Sequence, residues 1–406
     1  MPTGRLVFTV AAALVALHAA TDAFFAPERG TAWSDHLLSG GVSVGLVAGA
    51  VLLWPRLRPG ARAVVAIVLG ALAIEGAALA VADARAVGAR GDDWTGFLLA
   101  PAGVALVALG LATLWQSRKP NGRRYLRRAL LGAGALVGVF VVAVPIGVAI
   151  GATHRPRAAL PAAPDLGRPY REVTIRTRDG LELAGWYVPS QNGAAIVSFP
   201  TRKGKLPQAR MLARHGYGVL LLDMRGYEGS EGDPNAFGWG AARDIDAAVA
   251  WLERRPEVEP DRIGGIGFSV GGELMIEAAA DNPGLRAVVS EGAGERSLRE
   301  ALVRGVRGAL MLPTSAVQTA ALAVLSNEPP PPSLRDAVAA IAPRSVFLVY
   351  AGRSGVGEDI NPTYFRAAHE PKEIWKIPEA HHVGGFDARP QEYERRVVGF
   401  FDRALR

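Results

Sequence analysis

Five long apolar stretches in the first 153 residues constrain this chain more than any other feature. They run from about Leu6 to Phe25, Leu37 to Trp54, Ala63 to Val81, Phe97 to Trp115 and Ala129 to Ala152. A helix of roughly 20 apolar residues matches the hydrocarbon thickness of a bilayer. Each stretch is therefore expected to cross a membrane as a helix, and residues 1–153 to form an all-α bundle of about five spans. Gly and Ala recur within the stretches, as close helix packing in lipid requires. Trp54, Trp94 and Trp115 stand at their ends, where an indole favours the interface.

The basic loops set an orientation. The second loop carries Arg56, Arg58 and Arg62, and the fourth carries Arg118, Lys119, Arg123, Arg124, Arg127 and Arg128. The first has Arg29 alone, and the third sets Arg85 and Arg90 against Asp83, Asp92 and Asp93. Loops two and four then face the cytoplasm. The N-terminus is expected inside, and everything beyond Thr153 outside the cytoplasm, at a cell (plasma) membrane. A cleaved signal peptide in place of the first span would reverse that side.

Charge supports the division. Residues 1–157 hold 15 Lys and Arg against 7 Asp and Glu, and the remainder 30 against 31. The basic excess belongs to the membrane segments, so a nucleic-acid partner is not expected. The chain has no cysteine, which excludes a thiol nucleophile, a disulfide framework and a Cys-ligated zinc site. Glu75 lies in the middle of a span; either it hydrogen-bonds a neighbouring helix in its protonated form, or it marks a transport or substrate path.

A Pro-, Ala- and Arg-rich linker is expected over residues 154–168. Beyond it the pattern changes to short apolar runs, Ala194–Phe199, Gly218–Leu222, Ile263–Ile266, Ala287–Ser290 and Ser345–Tyr350, alternating with helical stretches. That alternation predicts an α/β domain over residues 169–406, with a mostly parallel sheet flanked by helices. The lapse in the pattern at about 294–342 reads as a cap insertion.

Gly267-Phe268-Ser269-Val270-Gly271 fits G-x-S-x-G. A second copy, Gly41-Val42-Ser43-Val44-Gly45, lies inside a predicted span and is set aside. The Ser269 copy follows a predicted strand and opens a predicted helix, the setting a nucleophile elbow needs. Gly267 and Gly271 supply the space, and the N–H of Val270 would point at a developing oxyanion. The serine needs a base. Of seven histidines, only His381 and His382 lie on a loop between a late strand and the last helix. Glu358 and Asp359 are the nearest carboxylates after the strand Ser345–Tyr350, and either could orient the imidazole.

These residues resemble the α/β-hydrolase superfamily, in its dienelactone-hydrolase-like and serine esterase or aminopeptidase branches, over roughly Arg171 to Arg406. Asp223-Met224-Arg225-Gly226-Tyr227-Glu228-Gly229-Ser230 is similar to the D-x-R-G-x-G-x-S of that group, and His381-His382-Val383-Gly384-Gly385 to its histidine loop. The resemblance implies His382 as base and Glu358 as acid, with Asp359 the alternative. It implies an α/β-hydrolase fold and a serine hydrolase acting on an ester, thioester or amide through an acyl-enzyme, with no metal and no organic cofactor. One departure stands out. The His-Gly usual after the third strand is replaced by Pro200-Thr201, which leaves the amide of Arg202, or less readily Thr201, to complete the oxyanion hole. That departure also motivates a non-catalytic receptor or scaffold as the competing reading. The expected partners are membrane lipids and a small or lipid-like acyl substrate.

Overall fold

The computed structural model describes residues 2–89, 91–116, 132, 137–156, 162, 164–202, 205–355 and 357–406. Arg90, the basic residues of the predicted fourth loop, the start of the predicted fifth span, and Lys203 and Gly204 lie outside the described residues. The chain divides into two compact units. The first takes in residues 1–159, 233–235 and 310–328, and the second the remainder.

In the N-terminal part of the first unit, four of the described helices are long and apolar enough to cross a membrane: α1 (Thr3–Phe25), α2 (Trp33–Arg56), α3 (Pro59–Ala86) and α4 (Asp93–Gln116). A shorter apolar helix, α5 (Val139–Thr153), ends the predicted fifth stretch. Glycine brings α3 and α4 together. A Cβ on Gly70 would come within 2.7 Å of the Gly103 carbonyl, and one on Gly103 equally close to that of Gly70. Phe8 stacks on Trp54 at 3.7 Å between ring centroids, joining α1 to α2. The Glu75 carboxylate faces Gly147 on α5, where a methyl group would be 2.6 Å from its Oε2.

In the second unit, a hairpin of β1 (Arg171–Arg176) and β2 (Glu182–Val188) precedes β3 (Ala195–Phe199), α6 (Leu206–Arg214), β4 (Gly218–Leu222) and α7 (Ala242–Leu252). Then come β5 (Ile263–Phe268), α8 (Val270–Asp281) and β6 (Ala287–Glu291). Next come α9 (Leu298–Val303), α10 (Val306–Leu325) and α11 (Leu334–Ala340), of which α10 belongs from Leu310 onward to the first unit and is also long and apolar enough to cross a membrane. The chain closes with β7 (Ser345–Ala351), α12 (Asn361–Ala367), β8 (Lys372–Ile377) and α13 (Pro390–Ala404).

The described strands form one sheet in the order β1-β2-β4-β3-β5-β6-β7-β8. β1 pairs antiparallel with β2, and β2 with β4; all later pairs are parallel. The central strands β3, β4, β5 and β6 are buried at every residue. Their side chains alternate between two cores: Val197, Leu220 and Leu222 pack on one face, Ile196, Val219 and Leu221 on the other. This two-sided burial is why these strands read as mostly apolar runs. Each fully buried aliphatic side chain contributes about 1.5–3 kcal/mol.

The order reverses at β3, which has β4 on one side and β5 on the other. Such a switch point opens a crevice at the carboxyl ends of the strands. The lapse in the strand–helix pattern at about 294–342 is helical. It contains one continuous 20-residue apolar helix, α10, with Pro313 inside it.

Candidate active site

Ser269 follows β5 at the switch point and is the N-cap of α8, with φ 55° and ψ −124°. A non-glycine residue rarely holds that conformation, and such strain clusters at functional sites. Its surroundings hold it in place. The Ser269 N–H donates to the Glu291 carbonyl at 2.8 Å, and the Ser269 carbonyl accepts from the N–H of Gly272 at 2.8 Å. The turn is too tight for larger neighbours. A Cβ on Gly267 would lie 2.0 Å from the Gly271 carbonyl oxygen, and one on Gly271 would lie 2.5 Å from that of Phe199. Val270 occupies the first position of α8, where a backbone N–H has no partner within the helix.

The histidine loop after β8 brings His382, not His381, to this serine. His382 Nε2 lies 2.8 Å from Ser269 Oγ, and its Nδ1 lies 2.5 Å from Glu358 Oε1. His381 is exposed. Val383 takes φ 47°, which turns the chain directly after His382. Lys205 Nζ donates to the Val383 carbonyl at 2.6 Å, and the Gly385 N–H to Glu291 Oε1 at 2.9 Å.

Glu358 is fully buried after β7. Its second oxygen accepts from the Ala351 N–H at 2.6 Å, and its carbonyl accepts from the side-chain amide of Asn361 at 2.8 Å. The alternative acid, Asp359, does not meet the imidazole. Its side chain is 79% exposed and takes a hydrogen bond from Arg304 at 2.7 Å. Adjacent carboxylates on this loop thus face opposite environments.

The structure corrects the expectation for Arg202. Its backbone N–H is not free for an oxyanion: it donates to Asp223 Oδ1 at 2.7 Å, while its Nε donates to Asp223 Oδ2 at 2.6 Å. The guanidinium also stacks over Trp186 at 5.0 Å. Asp223 lies at the end of β4 and is fully buried, so Arg202 satisfies a carboxylate that would otherwise be orphaned. Among the described hydrogen bonds none engages the Thr201 N–H.

One functional residue escaped the sequence reading. Glu291 ends β6, nearly fully buried, and joins both halves of the site. Its carbonyl anchors Ser269, while its carboxylate holds Gly385 of the histidine loop and accepts from Tyr393 Oη at 2.6 Å. Burial raises its pKa above the usual carboxylate range, against the lowering effect of the Tyr393 and Gly385 hydrogen bonds. A carboxylate closing a strand that is apolar apart from Ser290 was the available signal.

A hydroxyl, an imidazole and a buried carboxylate in line, on loops at the carboxyl ends of parallel strands, can activate the hydroxyl toward a carbonyl carbon. Fold and site together define the class: the chain has the α/β-hydrolase fold, with a serine, a histidine and a carboxylate each within hydrogen-bond reach of the next. Residues 155–359 match the family described as X-Pro dipeptidyl-peptidase (S15 family), and the chain belongs to that family. An uncharacterised protein of Mycobacterium tuberculosis (strain H37Rv) is 36% identical over 120 residues, 28% of this chain and 42% of that protein. The polyketide transferase GrgF of a Penicillium species is 33% identical over 137 residues, 30% of this chain and 44% of that protein. The chain thus spans less than half of either relative. The esterase Pf2001 of Pyrococcus furiosus is similar in structure at 25% identity and a TM-score of 0.50, over 62% of this chain and 99% of that one.

Proposed function

We propose that this protein is a membrane-anchored hydrolase that cleaves a carboxylic ester, thioester or amide through an acyl-enzyme on Ser269. One observation carries the reading: His382 stands between Ser269 Oγ and Glu358, within hydrogen-bond reach of both. With Nδ1–H donated to Glu358, the imidazole presents Nε2 as an acceptor to the serine hydroxyl. As Oγ attacks the carbonyl carbon, its proton passes to Nε2. The same proton then goes to the leaving alcohol, thiol or amine. Water, deprotonated by His382, releases the acid and restores the serine. Val270 N–H is one oxyanion donor, and Thr201 N–H is the second, replacing Arg202 in that role. The family name points to an amide and the Pyrococcus esterase to an ester, so the leaving group stays open.

Anchoring rests on α1–α4, which are apolar and expose residues such as Leu46, Leu52 and Leu53 along α2. The basic second loop assigns the N-terminus to the cytoplasm, and a fifth crossing that ends in α5 carries the hydrolase domain, residues 169–406, to the other side.

Labelling by a fluorophosphonate probe tests the catalytic reading, with Ser269→Ala as the control. The wild type should label and the variant should not. Equal labelling of both would refute the assignment. Absent labelling of the wild type would favour the scaffold reading, which the engaged Arg202 amide supports. Because the chain has no cysteine, an Arg299→Cys variant tests the side: an impermeant maleimide should label it in intact cells.

A further inference from the structure

Helix α10 carries the wrong face outward for a helix in water. Val306, Ala309, Leu310, Pro313, Ala316 and Ala320 recur at helical spacing, and all six are exposed and apolar. Val306 is 78% exposed and Leu310 69%. The polar residues Thr314, Ser315, Gln318 and Thr319 are all partly covered. An amphipathic helix in a soluble domain shows the reverse arrangement.

Three observations say what covers this stripe. The helix is 20 residues long and apolar enough to cross a membrane, with a mean hydropathy of 1.5 over its most apolar stretch, below the 1.7–2.4 of α1–α4. Residues 310–328 belong to the same compact unit as α1–α4. Just past its end, Asn327 is clamped to α2: Asn327 Oδ1 accepts from the Ser39 N–H, and Asn327 Nδ2 donates to Ser39 Oγ, each at 3.2 Å. The end of α10 is therefore fixed to a helix that itself exposes leucines.

Yet α10 is not a further span. Twenty helical residues rise about 30 Å. Both flanking helices, α9 and α11, belong to the unit that holds the sheet. A crossing would force the short Ser326–Ser333 segment, with its Pro329–Pro332 run, to return through hydrocarbon as open backbone. Unsatisfied peptide groups there cost several kcal/mol each. An in-plane helix meets both constraints, with its apolar stripe sunk about 5–10 Å into the boundary layer. Arg307, the exposed cation of its first turn, suits the headgroup level.

We propose that α10 is a bilayer-seated helix whose exposed stripe is covered by the acyl chains of membrane lipid. This rests on the membrane-anchored reading above and adds a second lipid contact, inside the cap of the hydrolase.

The absence of cysteine makes site-directed spin labelling clean. Full-length Val306→Cys, Leu310→Cys and Ala316→Cys variants are each labelled with a nitroxide in phosphatidylcholine vesicles. Leu46→Cys on α2 gives the lipid reference and Arg299→Cys the water reference. Fluorophosphonate labelling of each variant reports that the hydrolase has folded. Collision with oxygen relative to a water-soluble nickel chelate should be at least about fivefold higher at the three α10 positions than at Arg299→Cys, approaching Leu46→Cys. If the α10 labels match Arg299→Cys while Leu46→Cys reads as lipid, the inference is wrong and the anchoring stands. If both collision rates are low and the spectra show dipolar broadening, a second copy covers the stripe and lipid does not. If Leu46→Cys also reads as water, the anchoring falls and this inference with it.

Discussion

The backbone N–H of Arg202 and the carboxylate of Asp223 are 2.7 Å apart, and the Arg202 side chain closes a second bond to the same group. The loop after β3 is thereby tied to the end of β4, directly beside the nucleophile turn. Replacing Asp223 by Ala leaves a nearly buried guanidinium without its partner. Such a loss costs about 3–5 kcal/mol. The melting temperature of Asp223→Ala should fall by many degrees. An unchanged melt would show that the pair does not brace this loop.

Glu358 and Asp359 are neighbours in sequence but differ in consequence. Glu358→Gln should lower kcat by about four orders of magnitude, because the imidazole loses the acceptor that selects its tautomer. Asp359→Asn should stay within about twofold of the wild type, since its partner is Arg304. A steady-state comparison on any ester the enzyme turns over decides between them. Equal loss in both variants would contradict the assignment of the acid.

A single methyl group at Gly267 has no space, because the Gly271 carbonyl would lie 2.0 Å away. Gly267→Ala should destabilise the hydrolase domain by about 1–3 kcal/mol or more. The variant should also lose probe labelling, since the turn that presents Ser269 must open. Wild-type labelling by this variant would mean that the turn is looser than described.

Asp179 supplies a pH dependence with a defined sign. Burial opposes its ionisation, but the hydrogen bonds from Arg225 and Thr177 hold its pKa down to about 2, from an ordinary 3.8. A depressed carboxylate pKa stabilises the fold above the unfolded value, and the gain is lost as pH falls through the folded value. Asp179 is 37% exposed, so screening reduces its contribution to about 1 kcal/mol. Asp179→Asn should therefore melt a few degrees lower at pH 7. The gap to the wild type should narrow as pH falls below about 4 and close only below pH 2. A gap that widened with acid would give the wrong sign.

The sequence by itself determined the features written over short spans of chain. Four of the membrane-grade stretches were legible as length and apolarity, and the central parallel strands as mostly apolar runs, because burial on both faces of a sheet leaves few polar positions. The nucleophile turn was legible in five residues, since its tightest steric demands fall on Gly267 and Gly271. Tertiary structure decided the rest. His382 over His381, and Glu358 over Asp359, depend on backbone direction at Val383 and Gly357, both at positive φ, and direction is set by loops anchored to distant strands. The Arg202 amide was claimed by Asp223 from the neighbouring strand, a partner about 20 residues away. The reach of Glu291 to Tyr393 spans about 100 residues and exists only once β6 and α13 are packed. Local spacing can specify which groups are available. Which pairs form is settled by the register of the sheet, because a hydrogen bond needs its partners within about 3 Å.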